Sequence, residues 1–387
     1  MARRKGFKFY IGRLHLWLGL ASGLIVFFLG VTGCILAFEQ EIEDITQPYR
    51  FTPVEYKALL PPSALKDIAN KTLPGKHPHS ITYEPGKSAA VVYYEEEPEF
   101  YYSVYINPYT GKVLKVKDMN SDFFRLMVNG HYQLWLPEDV GRPIVASATL
   151  IFVVMLITGL VLWWPKNKAA SKQRFSIKLN AKWRRVNYDM HNVLGFYMMW
   201  VIIFIAFTGL VWGFQWFAKS VYWVSSGGTQ MTEFYETFSD TTNISKNAVK
   251  QKPAIDIIWD KTRADLPGFT GSMDVHIPKD HKSAIEVAIN PDTDTYWKAD
   301  YRYYDQHTFK EIDVTHMYGR LANTSVADKI SRMNYDIHVG AIIGLPGKII
   351  AFFASLIAAS MPVTGVIIWL GRKKKRTRIK TTAIALT

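Results

Sequence analysis

Four histidines recur in this sequence at matched positions. His15 precedes Gly33 by 18 residues, and His191 precedes Gly209 by the same 18. Both lie in long apolar runs, RLHLWLGLASGLIVFFLGVTGCILAF and DMHNVLGFYMMWVIIFIAFTGLVWGFQWF, with Gly four residues after the His and Thr-Gly late in the run. His131 and His338 each follow an arginine, Arg125 and Arg332, with five residues between. Each then leads into a second kind of apolar run with its own Thr-Gly, ITGLVLWW or VTGVIIWL. Imidazole is the commonest protein metal ligand, and ionisable groups near a membrane core are functional by default. Two imidazoles facing across a gap are how a helix bundle holds a bis-His b-type haem. The expected arrangement is two haem b groups, one held by His15 and His191, the other by His131 and His338. No Asp, Glu or Cys recurs beside these histidines to complete a zinc or non-haem iron shell.

The neighbouring residues fit such a site. Gly33, Gly159, Gly209 and Gly365 are expected to let a porphyrin edge slide between helix backbones; ordinary small-residue helix packing is the competing explanation. Arg125 and Arg332 are candidate partners for haem propionates. Arg13, Arg184 and Arg185 could serve at the other membrane face, although topology alone explains them.

The elements that must position these residues are membrane helices. Of 387 residues 49% are hydrophobic, and they concentrate in runs at Leu14–Phe38, Pro143–Trp164, Met190–Phe217 and Pro346–Leu370. Each approaches or exceeds the roughly 20 residues that span a bilayer core. The net charge of +13 is segregated: five Lys/Arg fall in 1–13, eight in 165–188 and seven in 371–387. This is the positive-inside pattern, and it argues against nucleic acid as the partner. It puts both termini and the loop 165–188 in the cytoplasm, with 40–142 and 218–345 outside. In a bacterium that is a multi-pass inner-membrane protein with periplasmic loops, the lipid bilayer being its first partner. The basic N-terminus with its long run reads as a retained anchor rather than a cleaved signal. The single cysteine, Cys34, excludes an intrachain disulfide, an Fe–S cluster and a Cys-based zinc site.

Each long loop repeats one pattern. An amphipathic helix comes first, Ser63–Thr72 in one and Pro253–Leu266 in the other. Alternating strands follow, Ser88–Tyr94 and Phe100–Ile106 joined by the acidic turn EEEPE, then Ala284–Ile289 and Tyr296–Tyr304. A turn and short strand close each, INPYTGKVL and YDQHTFKEI. The fold class is therefore membrane α-helical: four transmembrane helices from a tandem helix–module–helix duplication, with two periplasmic α+β modules. The segments are 1–13 (basic), 14–38 (helix), 39–130 (module), 131–164 (His segment and helix), 165–188 (basic loop), 189–217 (helix), 218–331 (module), 332–371 (His segment and helix) and 372–387 (basic tail). His316, Tyr101, Tyr301 and Tyr304 are expected to line a substrate cleft in the modules; strand packing is the other explanation for the tyrosines.

With HLWLG…GVTG, INPYTGKVL, YDQHTFKEI, the Arg125/His131 and Arg332/His338 pairs, and helices ending ITGLVLWWP and VTGVIIWL, the chain resembles the PepSY-associated transmembrane family over nearly its whole length. The resemblance implies two periplasmic PepSY-like modules and a di-haem inner-membrane reductase of ferric siderophores. Electrons would come from a cytoplasmic or quinol donor and leave to a ferric chelate between modules and bundle, which releases Fe(II). No Gly-rich dinucleotide fingerprint follows a strand, so nicotinamide or flavin chemistry would need another protein. Two other readings stay open: a haem electron-transfer subunit for a protein partner, and a haem-free assembly or regulatory protein. The second half departs from the pattern at Phe309, where the first half has Gly111, which leaves the second turn's conformation open. A C-terminal fusion to a reporter that matures only in the cytoplasm is expected to be active; an inactive fusion of an expressed protein would contradict the charge-based topology.

Overall fold

The computed structural model describes residues 6–95, 99–165, 167, 171, 174–242 and 252–384, with side chains to 372. Most of the acidic turn, part of the basic loop, the first five residues and the side chains of the basic tail lie outside the described residues. The helices are α1 (Phe7–Leu36), α2 (Glu39–Thr46), α3 (Pro62–Thr72), α4 (Phe123–Gln133), α5 (Glu138–Trp163) and α6 (Trp183–Gly213). They continue with α7 (Gln215–Ser225), α8 (Ala254–Ala264), α9 (Val326–Arg332), α10 (Asn334–Val339) and α11 (Leu345–Ile384). The strands are β1 (Pro78–Tyr83), β2 (Ala89–Glu95), β3 (Phe100–Ile106), β4 (Val113–Asp118), β5 (Ser272–His276), β6 (Ile285–Asn290), β7 (Asp300–Tyr304) and β8 (Glu311–Ile312). They form two units: Met1–Phe38, Met127–Ala218 and Ile337–Thr387 in one, Glu39–Leu126 and Lys219–Asp336 in the other.

The first unit is a helix bundle. Four helices are long and apolar enough to cross a membrane: Phe7–Leu36, Glu138–Trp163, Trp183–Gly213 and Leu345–Arg372. α1 and α6 begin seven residues before the apolar runs at Leu14 and Met190. FKFYIGR and WRRVNYD contain no proline, and their long cationic stems can lie along an apolar surface with the charge outward. Small residues allow close helix contact. A Cβ on Gly30 would lie 2.8 Å from Ala359 and from the Ser355 carbonyl, and one on Gly213 would lie 2.7 Å from the Ala146 Cβ. Two short helices belong to this unit by their ends: α4 carries His131 and α10 carries His338. Each is followed by a sharp reversal, through Leu134 and Trp135 at φ 57° after α4 and Gly340 at φ 81° after α10. A Gly seats each returning chain. A Cβ on Gly141 would sit 2.0 Å from the Gln133 carbonyl oxygen, and one on Gly347 2.0 Å from that of Gly340.

The second unit is one eight-stranded antiparallel sheet in the order β4-β3-β2-β1-β5-β6-β7-β8. The sequence suggests two separate modules. Instead β1 and β5, both absent from the strand assignment above, pair Ser80 with His276 and Thr82 with Asp274 and fuse the strands into a single sheet. α3 and α8 cover one face. Leu65, Ile258 and Trp259 pack there on Ile81, Val91, Val104, Val275 and Val287. Asp256 of α8 accepts from the Ser63 amide (2.9 Å) and hydroxyl (2.6 Å), capping the start of α3. Tyr304 faces this core and is wholly buried, so it does not line a cleft.

The two turns have the same conformation despite Phe309. Gly111 has φ 74° and Phe309 φ 58°. Asn107 accepts from the amides of Tyr109 and Thr110, as Asp305 does from those of His307 and Thr308. The amides of Gly111 and Phe309 both close at 2.9 Å on the carbonyls of Asn107 and Asp305. Phe309 offsets its left-handed backbone by packing on the core. Gly111 has no such compensation to offer a side chain, because a Cβ there would meet Ile68 Cδ1 at 2.8 Å. Gly111→Ala is expected to lower stability by about 1–2 kcal/mol, read as a shift in the denaturant midpoint of the purified protein; an unchanged midpoint would contradict the turn assignment.

Candidate functional site

The four repeated histidines all lie in the bundle, and each is held the same way. His15 Nδ1 is 2.9 Å from Thr158 Oγ, and His191 Nδ1 is 2.8 Å from Thr364 Oγ. His131 Nδ1 is 2.9 Å from Thr32 Oγ, and His338 Nδ1 is 2.9 Å from Thr208 Oγ. Each threonine is the Thr of a Thr-Gly pair, on a helix other than that of its histidine.

These contacts fix the tautomer. A threonine inside a helix donates its hydroxyl proton to the carbonyl three or four residues back. Thr32 does so to Phe28, Thr158 to Met155, Thr208 to Ile205 and Thr364 to Ser360. With its proton used, each Oγ accepts, so each histidine donates from Nδ1–H. That leaves Nε2 with its lone pair, the state in which neutral imidazole binds a metal.

The glycines complete the same contact. A Cβ on Gly159 would lie 3.4 Å from His15 Cε1, and one on Gly33 3.5 Å from His131 Cε1. Gly209 and Gly365 stand likewise, at 3.6 Å, to His338 and His191. The expected role of these glycines was to admit a porphyrin edge. An imidazole Cε1 stands 3.4–3.6 Å from each Cβ position, with the Ser355 hydroxyl closer still, at 3.2 Å, for Gly33, so Thr-Gly forms a seat: Thr orients the ring and Gly lies beside it.

The histidines form two pairs. His131 and His338 have ring centroids 6.0 Å apart and planes at 74°. Trp212 packs on His338 at 5.1 Å. His15 and His191 both line a cavity of about 570 Å³ within the bundle, inside the roughly 300–1,000 Å³ range of small-molecule and cofactor pockets. Its walls include Gly12, Gly19, Gly23 and Gly195, and Lys8, Arg13, Arg174 and Arg372 add positive charge. Of the three inner arginines expected, Arg13 lines this cavity. Arg185 instead holds the buried Asp189 at 2.9 Å. Arg174 and Arg372 went unnoticed because the basic loop and tail hold many cations and nothing in the sequence separates one from another.

The remaining candidates belong to the sheet unit. Arg332 is buried and donates from Nε, Nη1 and Nη2 to the carbonyls of Met317, Ala299 and Gly319 at 2.7–2.8 Å, with its guanidinium 5.2 Å from the Tyr301 ring centroid. Three donors are thus committed to carbonyls of its own unit. Arg125 stacks over Tyr101 at 5.5 Å, and its buried Nε has no hydrogen-bond partner among the described residues. His316 is buried against Phe234, Tyr235 and Tyr303, and neither ring nitrogen has a hydrogen-bond partner among the described residues. Among the described residues no group of three or more His, Cys, Asp or Glu side chains is arranged to hold a metal ion.

Four long apolar helices, with paired, oriented histidines among them, define a multi-pass membrane protein. The chain belongs to the family of the PepSY-associated TM region, whose profile matches residues 12–372. No curated protein matches the sequence.

Thr158→Val and Thr364→Val each remove the side-chain acceptor of a buried Nδ1–H. Each is expected to cost about 1–3 kcal/mol, whereas Thr→Ser at the same positions keeps the hydroxyl and most of the stability. Unfolding of the purified variants checks this; a valine variant as stable as wild type would contradict the tautomer assignment.

Proposed function

We propose that this chain is a di-haem b reductase of the bacterial inner membrane, carrying electrons across the bilayer to a ferric siderophore in the periplasm and releasing Fe(II). The single observation that carries the reading is the fourfold seat: every repeated histidine has Nδ1 tied to threonine and Nε2 left for a metal. A purely structural histidine needs no such uniformity.

The residues fit the group. At the cavity, His15 and His191 supply two imidazoles, the glycine-lined walls leave room for a flat macrocycle, and Lys8, Arg13, Arg174 and Arg372 would pair with its carboxylates. At the other pair, His131 and His338, with ring centroids 6.0 Å apart, would supply the two imidazoles. Haem, if held by His15 with His191 and by His131 with His338, would supply one-electron carriage suited to outer-sphere transfer. The threonines keep Nε2 unprotonated and the rings in place, so little rearrangement accompanies a change of charge. Apolar helix surface keeps water out and raises the cost of any misplaced polar group.

The matching seats support a tandem duplication, with each half giving one ligand to each pair. The cytoplasmic placement of the basic segments and the periplasmic placement of the sheet follow from charge asymmetry. The electron donor in this reading is a quinol or a cytoplasmic protein.

The purified protein is expected to be red, with an absorption spectrum that sharpens and shifts on dithionite, and with two haems per chain. His131→Ala and His15→Ala should each lose one haem and keep the other. Reduced protein mixed with a ferric siderophore and a ferrous-specific chelator should be reoxidised as the ferrous complex appears. A colourless protein sinks the haem reading. A red protein that no ferric chelate reoxidises favours electron delivery to a protein partner.

A further inference from the structure

The short helix α7 carries large apolar side chains on its outer face. Trp216 and Trp223 are each 56% exposed and Val224 is 72% exposed, whereas Tyr222 is buried and Phe217 half-buried. At about 100° per residue, Trp216, Trp223 and Val224 fall on one stripe, with Tyr222 and Phe217 turned away from it. A surface helix of a water-soluble protein turns its apolar stripe inward and leaves polar residues outside. α7 is apolar on both sides, so its outer face calls for a partner other than water.

Its place in the chain decides what it meets. α6 is one of the four helices long and apolar enough to cross a membrane, and it ends at Gly213. An extended Phe214 (φ −140°, ψ 118°) breaks the helix, and α7 begins at Gln215, within about 7 Å of the end of α6. The break redirects the chain. Phe217 packs back on Phe207, with ring centroids 5.7 Å apart, and beside Val153 and Leu210. A straight continuation of α6 would carry Phe217 about 15 Å along the axis from Phe207, so α7 turns off that axis. At its other end Tyr222 donates to Asp328 at 2.9 Å. The inner face of α7 is thus held from Phe217 to Tyr222.

We propose that α7 lies in the surface of the bilayer at the membrane face where α6 ends, with Trp216, Trp223 and Val224 seated among lipid headgroups and the first acyl carbons. Three observations name lipid as the occupant. The helix is joined to a membrane span by one residue, so the bilayer surface is already beside it. Its 11 residues reach about 16 Å, too short to cross a core of about 30 Å. Its outer stripe is built on tryptophan, whose apolar ring and N–H donor suit a zone that is greasy on one side and wet on the other. The inference uses the membrane spans alone and stands apart from the electron-carrying reading.

Charge sharpens the kind of surface. The cation on the stripe, Lys219, is paired with Glu233 at 2.8 Å, so α7 offers lipid little net charge. Burial of the indoles, and not attraction to anionic headgroups, holds it down. α2 follows α1 much as α7 follows α6, yet its sequence, EQEIEDIT, has four carboxylates and no tryptophan. Arg50 pairs with two of them, Glu43 and Asp44. A membrane seat built on indoles therefore belongs to α7 and not to α2. The seat also steadies what α7 touches: Asp328, the acceptor for Tyr222, takes the Ser325 amide and hydroxyl at the start of α9.

The test uses the full-length protein in phosphatidylcholine vesicles. Cys34→Ser removes its single thiol, and Val224→Cys then carries a nitroxide. Collisions with oxygen, which concentrates in lipid, are compared with collisions with a water-soluble nickel chelate. Oxygen is expected to win severalfold and to place the label about 5–10 Å into the boundary between headgroups and acyl chains. A nitroxide at Trp223→Cys should report the same depth. Adding phosphatidylglycerol should leave that depth unchanged. A label open to the nickel chelate puts α7 in water and overturns the proposal. A label shielded from both reagents means that protein, such as a second copy of this chain, covers the stripe, and that also overturns it. Insertion that appears only with anionic lipid would replace the indole seat by a charge-driven one and overturn it too.

Discussion

A buried imidazole must place its Nδ1 proton somewhere, and for each of the four repeated histidines the acceptor is a threonine whose own proton is already committed to its helix. Much of the bundle follows from that constraint. The threonine must sit one turn below a carbonyl it can donate to, so it lies inside a helix. The residue after it is glycine, and the ring lies 3.4–3.6 Å from where a Cβ would be, so even a methyl group there would stand in direct contact with the imidazole. The histidine must come from another element, so four seats tie six helices together. For His131 and His338 this requires short helices that turn back sharply, which explains the left-handed Leu134, Trp135 and Gly340.

The sheet unit is organised by a different constraint, the need to cover strand edges and one apolar face. β1 and β5 join the strands of the two loops at their centre, so the resulting sheet has one pair of ends instead of two. α3 and α8 then share one core, locked by Asp256 across the two helix starts. The opposite face is left polar at its middle, where His276, Asp274 and Glu286 meet.

Much of this was legible in the residues. The four apolar runs, the His repeats and the Thr-Gly repeats sit where the structure uses them. The imidazole contacts of the glycines were not legible, because spacing gives the depth of a residue and not what lies against it. The threonines carried the missing signal, since a polar residue before every glycine is more than packing requires. β1 and β5 escaped notice because PHSITY and SMDVH put polar residues on the open face and carry only two or three core side chains each. Tyr304 was expected in a cleft and lies in the core, since a strand's parity decides which face a tyrosine takes and the run YRYY does not declare it. Arg332 was expected to serve a cofactor, and its three carbonyl bonds show it pinning its own turns.

In the proposed function the two histidine pairs hold b-type haems. Electron paramagnetic resonance of the oxidised purified protein tests it most directly, because the signal depends on what the two axial ligands are and how their planes are turned. Two low-spin ferric centres are expected. The one at His131 and His338 should be strongly anisotropic, as ring planes at 74° require, and should vanish in His338→Ala. A high-spin centre with an open axial position, or no ferric haem signal at all, would contradict it.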